Sequence, residues 1–457
     1  MPGKVKLEVI AGPMKGKPFY FKEHDTFLFG RGTECHASLP SDGFVSRHHF
    51  ILEVNPPDAR IRDLGSLNGT HVNGVQYGGR GAAETPEQAK KKRHPEVDLK
   101  HGDQIQVGQT VFIVLIKGRR NVKPVHCQKC GKDVSQEAGH GQGDYVCAAC
   151  RAKAQNDPLS LLQNMAKGLK KDAHAVIPTI PGYEIGKKIG EGGMGGVYMA
   201  RRKRDGRVAA LKIMLPKIAV DERSREAFLR ETNTLRELRH PNIVRLYENG
   251  CAGTAFYFIM DYCRRGSIVA FQEQHGEKLS LAAAAPIMLQ TLEGLAYAHD
   301  RNFVHRDLKP HNLLLDGSRG KKTVKIGDFG LAKNFAKAGY SGMTATGTYS
   351  GTFHFMPREQ LVNFKYINPA SDVWSIAATF YFMLTGAMPR DCRPEQDPMQ
   401  VVLQEEAVPV RERDPSVPEP VGDVIDRALL ADTGERYASA GPFKEALESA
   451  LSKAGQT

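Results

Sequence analysis

The chain has 457 residues, 41% hydrophobic and 25% charged, with 63 Lys and Arg against 51 Asp and Glu and a formal net charge of +12. At roughly 100–200 residues per domain this is too long for one core, so several domains are expected. No apolar run reaches the roughly 18–20 residues of a membrane span, and the start lacks the basic, apolar, small-residue order of a signal peptide, so a soluble cytoplasmic protein without a membrane partner is expected. The densest basic run, KKKR at 90–93, has no interleaved aromatics and reads as a solvated loop rather than a nucleic-acid surface.

The first stretch, KVKLEVI at 4–10, alternates charged and apolar residues with the period of a half-buried strand. Short apolar runs follow at 27–29, 50–54 and 111–116, separated by Gly, Asn, Asp and Pro, a spacing that predicts an antiparallel sandwich with its loops gathered at the ends. Those loops carry FGRG at 29–32, VSRHH at 45–49 and DLGSLNGTHVNG at 63–74. In order and spacing they resemble a forkhead-associated (FHA) domain, a resemblance that implies phosphothreonine binding by Arg31, Ser46, Arg47 and Asn68. The chemistry suits that role, because guanidinium, hydroxyl and amide donors surround a phosphate without adding negative charge. His49 is expected to pack beneath the Ser46 loop. The insert from Gln76 to Lys100 reads as a mobile surface loop.

Of eight cysteines, Cys127 and Cys130 form one Cys-x2-Cys and Cys147 and Cys150 another, with sixteen residues between the pairs. This is the spacing of a zinc ribbon, in which two knuckles give four thiolates to one structural Zn2+. A redox pair would need a surrounding α/β domain, and disulfides an oxidising compartment. His126 and His140 are surplus to four thiolates. Cys35, Cys251, Cys263 and Cys392 have no partner spacing and are expected to be buried free thiols. Residues 156–182 read as a linker.

From 183 onward the motifs are those of phosphoryl transfer. IGEGGMGGV at 189–197 is a Gly-rich string, followed by VAALK with Lys212 on a strand. VHRDLKPHN at 304–312 and DFG at 328–330 complete the set, and the region resembles a bacterial Ser/Thr protein kinase throughout 183–453. The resemblance implies ATP held by Ile189, Gly190, Glu191, Gly192, Gly193, Met194, Gly195, Gly196, Val197, Ala210 and Lys212, with backbone from Asp261 to Cys263 at the purine edge and Met260 as gatekeeper. It further implies that Asp307 accepts the substrate proton, Lys309 steadies the transferring phosphoryl, and Asn312 and Asp328 hold Mg2+ or Mn2+.

In ERSREAFLRETNTLRELRH, Glu231 shares a helical face with Phe228, Leu235 and Leu238, so it is the carboxylate expected to turn inward toward Lys212. Thr344 and Thr346 precede Thr352 at the spacing of autophosphorylation sites in bacterial kinases, and Arg306 is placed to pair with such a phosphate. The end of that segment departs from the family, since Met356 is followed by Pro357, Arg358 and Glu359 where Met-Ala-Pro-Glu is usual. Arg436 is expected to pair with Glu359, and Asp372 to tether the catalytic loop.

A multidomain chain follows: an all-β sandwich at 1–119, a zinc ribbon at 120–155, the linker, and an α+β bilobal kinase domain. The expected function is a Ser/Thr kinase whose FHA module recruits phosphothreonine partners or its own phosphorylated loop, with self-association as one outcome. The alternative is a pseudokinase scaffold, against which stand Lys212, Asp307 and Asp328, the residues such scaffolds usually lose.

Overall fold

The computed structural model describes residues 4–21, 25–80, 94–117, 179–192, 195–214, 226, 228–229, 232–252, 255–276, 278–317, 322–329, 353–362, 367–393 and 396–455. Cys127, Cys130, Cys147, Cys150, Gly193, Met194, Glu231, Thr344, Thr346 and Thr352 lie outside the described residues. Met1–Gly118 and Ile180–Thr457 belong to one compact unit.

The N-terminal sandwich contains β1 (Lys4–Ala11), β2 (Pro18–Phe21), β3 (Asp25–Gly30), β4 (Ala37–Ser38), β5 (Phe50–Asn55), β6 (Asp58–Asp63), β7 (Thr70–Val72), β8 (Val75–Tyr77), β9 (Val97–Leu99), β10 (Gln104–Val107) and β11 (Thr110–Lys117). One sheet has the order β2-β1-β11-β10-β7-β8 and the other β4-β3-β5-β6-β9. The alternation in β1 buries Val5, Leu7 and Val9 between them, where Phe29 stacks on Phe50 at 4.4 Å and meets Phe112 edge-on at 5.9 Å. The four apolar runs expected as strands fall within β1, β3, β5 and β11. Two parts of the insert differ from expectation: Gln76 and Tyr77 pair with β7 as part of β8, and Val97–Leu99 joins the second sheet as an edge strand paired with Ala59–Ile61, anchored by Arg60 to Asp98 and Glu96. A three-residue strand is shorter than the 4–8 residues over which alternation can be recognised.

In the C-terminal domain β12 (Tyr183–Gly192), β13 (Gly195–Arg202), β14 (Val208–Met214), β15 (Leu246–Ala252) and β16 (Ala255–Met260) form an antiparallel sheet of order β12-β13-β14-β16-β15. The larger lobe is helical: α1 (Ile268–His275), α2 (Leu281–His299), α3 (Arg358–Val362), α4 (Pro369–Thr385), α5 (Pro398–Gln404), α6 (Val410–Arg413), α7 (Glu419–Ala428) and α8 (Ala440–Lys453). A ribbon of β17 (Leu313–Asp316) and β18 (Thr323–Ile326) lies beside the catalytic loop. Helix α4 shows how sequence sets an element: Asn368 caps it by accepting from the Ala370 N–H, Pro369 opens it, and Gly386 ends it at φ 72°. Between those signals Val373, Trp374, Ile376, Ala377, Phe380 and Tyr381 are all buried.

The sandwich packs directly on the helical lobe. Leu28, Cys35, Ile51 and Leu64 share an apolar cluster with Leu403 of α5, flanked by Leu361, Val362 and Met399. At its edge Arg62 is ion-paired with Asp397, the residue that caps α5 through the Met399 N–H. Among the described cysteines Cys35 is buried as expected, whereas Cys251, Cys263 and Cys392 are half-buried, Cys251 with one side packed against the core of the smaller lobe.

Candidate active site

The hairpin of β12 and β13 carries Ile189, Gly190, Glu191, Gly192, Gly195, Gly196 and Val197, with Gly192 opposite Gly195. At Gly195, φ is 153° and a Cβ would stand 1.9 Å from the Ile213 carbonyl oxygen, so the close crossing onto β14 requires glycine. On β14, Lys212 lies beside Val197 on one neighbouring strand and Phe258 on the other, and Ala210 lies opposite Met260. The Lys212 ammonium pairs with Asp328 at 2.8 Å. Burial works against ionisation of Asp328, but the Lys212 charge and hydrogen bond outweigh it and hold the carboxyl below its ordinary range. The Lys212–Asp328 pair was not read from the sequence, where only Glu231 was considered as the partner.

The helical stripe proposed for Glu231 is inward at its described positions, with Phe228 and Leu238 buried and Leu235 packed against them. The chain tightens to a 3-10 turn over Thr234–Glu237. Leu235, Leu238 and Met260 line a small cavity ending at Asp328 and Phe329.

At the segment after β16, the Asp261 N–H already donates to the Arg245 carbonyl at 3.1 Å, so for a purine this residue offers its own carbonyl and not its N–H. Its side chain is a brace, accepting from Tyr247, from the Arg245 N–H at 3.2 Å and from Lys325 at 3.1 Å. Burial raises the Cys263 thiol to about 12, which makes it an inert wall.

The catalytic loop is held from below by Asp372, 1% exposed, whose carboxylate accepts from the backbone N–H of His305 at 2.6 Å and of Arg306 at 2.9 Å, and bonds His299 Nε2 at 3.0 Å. That grip fixes Arg306 at φ 69°, a left-handed turn that presents Asp307. The Asp307 N–H donates to His305 Nδ1 at 3.2 Å, and His305 Nε2 bonds the Gly327 carbonyl at 2.8 Å, so the imidazole is the neutral Nε2–H tautomer. Burial lowers the His305 pKa in agreement. Lys309 Nζ lies 3.2 Å from the Asp307 carboxylate, while Asn312 Nδ2 donates to the Asp307 carbonyl at 2.7 Å. The Gly327 N–H donates to the Asn312 carbonyl at 2.8 Å, tying the loop to Asp328 at φ 59°. Asp307, Lys309, Asn312, Asp328 and Lys212 are thereby linked in one network. An amide oxygen and a carboxylate are the hard donors that Mg2+ takes alongside substrate phosphates, so Asn312 and Asp328 fit that ion.

Glu359 and Arg436 form a fork-to-fork pair at 2.7 and 3.1 Å, and Arg436 also donates to the carbonyls of Ala370 and Ala431. Next to it, Arg358 donates to the carbonyls of Val402 and Glu405 and pairs with Glu406 at 3.0 Å. Arg390 had no sequence signal. It is buried over the Trp374 ring at 4.2 Å and donates to the carbonyls of Met356 and Glu405; burial first, then the Arg358 and Arg436 charges, lower its pKa to about 9.

On the sandwich, Gly30 lets β3 approach so closely that a Cβ would meet the Arg47 carbonyl oxygen at 2.1 Å. The Arg31 N–H donates to the Ser46 carbonyl at 2.8 Å, aligning the two loops. Ser46 Oγ accepts from the Leu67 N–H at 2.9 Å, and Asn68 Nδ2 donates to the Phe44 carbonyl at 2.8 Å. His49 is fully buried beneath them, accepting from the Ser46 N–H at 3.0 Å through Nδ1 and bonding the Gly69 carbonyl at 3.1 Å through Nε2. Arg31, Ser46 and Arg47 line a cavity of about 660 Å³ whose opposite wall includes Arg358, Leu403 and Glu406 of the helical lobe. Arg80, left inside a loop by sequence reasoning, also lines it.

A model of the protein kinase domain matches residues 183–450, and one of the FHA domain matches residues 27–108. CBL-interacting protein kinase 17 of Oryza sativa subsp. japonica is 36% identical over 212 residues, 46% of this chain and 45% of that protein. Serine/threonine-protein kinase PrkC of Bacillus subtilis (strain 168) is 31% identical over 269 residues, 59% of this chain and 40% of that protein. The Mycobacterium tuberculosis PknI kinase domain is similar in structure, with a TM-score of 0.47 and 24% identity over 61% of this chain and 100% of that one. The chain spans less than half the length of these two curated relatives.

Proposed function

The chain belongs to the protein kinase family, and we propose that it transfers the γ-phosphoryl group of ATP to Ser or Thr hydroxyls of proteins while its FHA domain holds phosphothreonine. One observation carries the reading: Lys212, Asp307, Lys309, Asn312 and Asp328 are joined in a single connected network. Phosphoryl transfer depends mainly on positioning and charge neutralisation, and these side chains supply both.

Asp307, aimed by the Asp372 grip on its loop, orients the substrate hydroxyl and accepts its proton. Lys309 balances charge on the transferring group, and Lys212 binds the nonreacting phosphates. Asn312 and Asp328 would hold Mg2+ or Mn2+, which would supply charge neutralisation to the substrate phosphates. The Gly190-to-Val197 strands cover the nucleotide, and Ala210, Met260 and the Asp261-to-Cys263 backbone border the purine. Glu231 is the inward carboxylate that steadies Lys212 when the nucleotide draws it from Asp328, and Thr344 and Thr346 are the autophosphorylation sites. On the FHA domain Arg31, Ser46, Arg47 and Asn68 hold phosphothreonine from protein partners or from the chain's own activation segment. Cys127, Cys130, Cys147 and Cys150 hold one structural Zn2+, and the protein acts in the cytoplasm.

The test of the enzyme is transfer of labelled phosphate from ATP to a basic protein substrate by wild type and Asp307→Ala. Transfer by wild type alone is expected; equal incorporation, or none by either, sinks the reading. Metal analysis of the full chain should find one zinc per chain, lost in Cys127→Ser/Cys147→Ser, and a zinc-free wild type excludes the ribbon.

A further inference from the structure

The cavity over the FHA recognition loops has walls from two domains. Arg31, Ser46 and Arg47 come from the two FHA loops, and Arg80 from the end of the β8 hairpin. Arg358 and Glu406 come from the kinase domain. Phe44 and Leu67, 57% and 58% exposed, give the FHA side two apolar surfaces beside these charges. At about 660 Å³ the space lies within the roughly 300–1,000 Å³ of small-ligand pockets, ample for a phosphorylated side chain and its neighbours.

Two of the guanidinium groups have donors to spare. Arg358 uses Nε on the Val402 carbonyl and Nη2 on the Glu405 carbonyl and Glu406, which leaves Nη1 without a partner among the described residues. Arg80 Nε is buried and has no hydrogen-bond partner among the described residues. A buried donor left unmade is costly, and four arginines lining one cavity bring like charges to the same space. Both penalties are relieved by one ligand class, an anion with several acceptor oxygens.

We infer that the phosphothreonine site is composite, with Arg358 of the kinase domain and Arg80 of the FHA domain donating to the same phosphate as Arg31 and Ser46. The inference rests on the reading of the FHA domain as a phosphothreonine reader and adds which residues complete the site. Arg358 occupies the place where the family carries proline, so the altered letters of MPRE have a second use: they put a phosphate ligand one residue before Glu359. The ligand is a phosphothreonine peptide lying across the domain boundary, against the lobe that ends the activation segment.

The experiment measures binding of fluorescent peptides to phosphatase-treated full chain. One peptide spans residues 338–351 with phosphate on Thr344 or Thr346, another is an unrelated phosphothreonine peptide, and an unphosphorylated copy is the control. Expected changes in affinity are about tenfold weaker for Arg358→Gln, about three- to tenfold weaker for Arg80→Gln, and about a hundredfold weaker for Arg31→Ala. Glu406→Gln, at an exposed position, removes a competing carboxylate and should tighten binding about threefold, a gain that misfolding cannot imitate. If Arg31→Ala weakens binding while Arg358→Gln, Arg80→Gln and Glu406→Gln all match wild type, the composite site is overturned and the FHA reader stands. If Arg31→Ala matches wild type, or wild type binds no phosphopeptide, the reader fails and the composite site with it. Preference for the 338–351 peptide over the unrelated one assigns the ligand to this chain; equal affinity assigns it to other proteins, and both support the composite pocket.

Discussion

Arg62 of the FHA domain and Asp397 of the kinase domain form an ion pair with side chains 2% and 0% exposed, at the edge of the apolar cluster that joins the domains. Arg62 Nε has no hydrogen-bond partner among the described residues, so the pair is incompletely satisfied there. Removing one member of such a pair leaves an uncompensated buried charge, at a cost of about 3–5 kcal/mol, whereas replacing both with apolar groups is close to neutral. Arg62→Met and Asp397→Leu are therefore each expected to destabilise the docked unit by that amount, and the double variant by much less. Urea unfolding of the full chain with a double-mutant cycle checks it; additive effects would show that the pair is uncoupled.

Asp372→Asn keeps one acceptor for the catalytic loop and loses the other, since the two backbone N–H groups of His305 and Arg306 are divided between its carboxylate oxygens. A small displacement of Asp307 is enough to lose about a hundredfold in turnover. The expected result is a fall in kcat of that size with KM for ATP nearly unchanged, because the Gly-rich hairpin and Lys212 are untouched. A raised KM with normal kcat would place Asp372 in nucleotide binding instead.

Acid should weaken the FHA domain through its histidines. Burial lowers the pKa of His49 and His48, and lowers that of His36 to about 4. Nδ1 of His49 and of His36 each accept a backbone N–H, from Ser46 and Leu28, which only the unprotonated nitrogen can do. The unfolded chain takes up these protons near pH 6.5 and the folded one only at lower pH, so stability is present above about 6.5 and falls as pH drops below it. On the order of 1–3 kcal/mol should be lost between pH 6.5 and 4, with phosphopeptide affinity following because His49 supports Ser46. Thermal melting and binding across that range test the sign; flat profiles would contradict it.

Arg436→Met removes both bonds to Glu359 and those to the Ala370 and Ala431 carbonyls, at about 3–5 kcal/mol. Glu359→Gln keeps the shape and one acceptor and should cost about half as much or less. Differential scanning calorimetry ranks the two, and the reverse order would mean that Glu359 has a further partner.

Much of this architecture was legible because it is written in local chemistry. The alternation of Val5, Leu7 and Val9 declares its own strand, whereas the pairing of Glu359 with Arg436 was expected from the family resemblance and not from spacing. Three things were hidden for physical reasons. Lys212 meets Asp328 because the lobes bring together residues 116 positions apart, and charge alone could not choose among several carboxylates. Arg390 is a buried cation whose partners are backbone carbonyls and an indole ring, groups that leave no mark in sequence. The contact of Leu28, Ile51 and Leu64 with Leu403 joins positions that each read as ordinary core, and nothing in their pattern says that the other half of that core lies in a different domain.

Strand β6 ends on two residues with opposite loyalties. Arg62 reaches the kinase domain, and Asp63 receives the Ser66 and Thr70 hydroxyls beneath the recognition turn. A foreign FHA domain grafted here could reproduce the Asp63 side of that arrangement and still fail to seat on α5 without the Arg62 side. Descent should therefore treat the two domains as one heritable object, with changes at Arg62, Leu64, Asp397 and Leu403 accepted together or refused together.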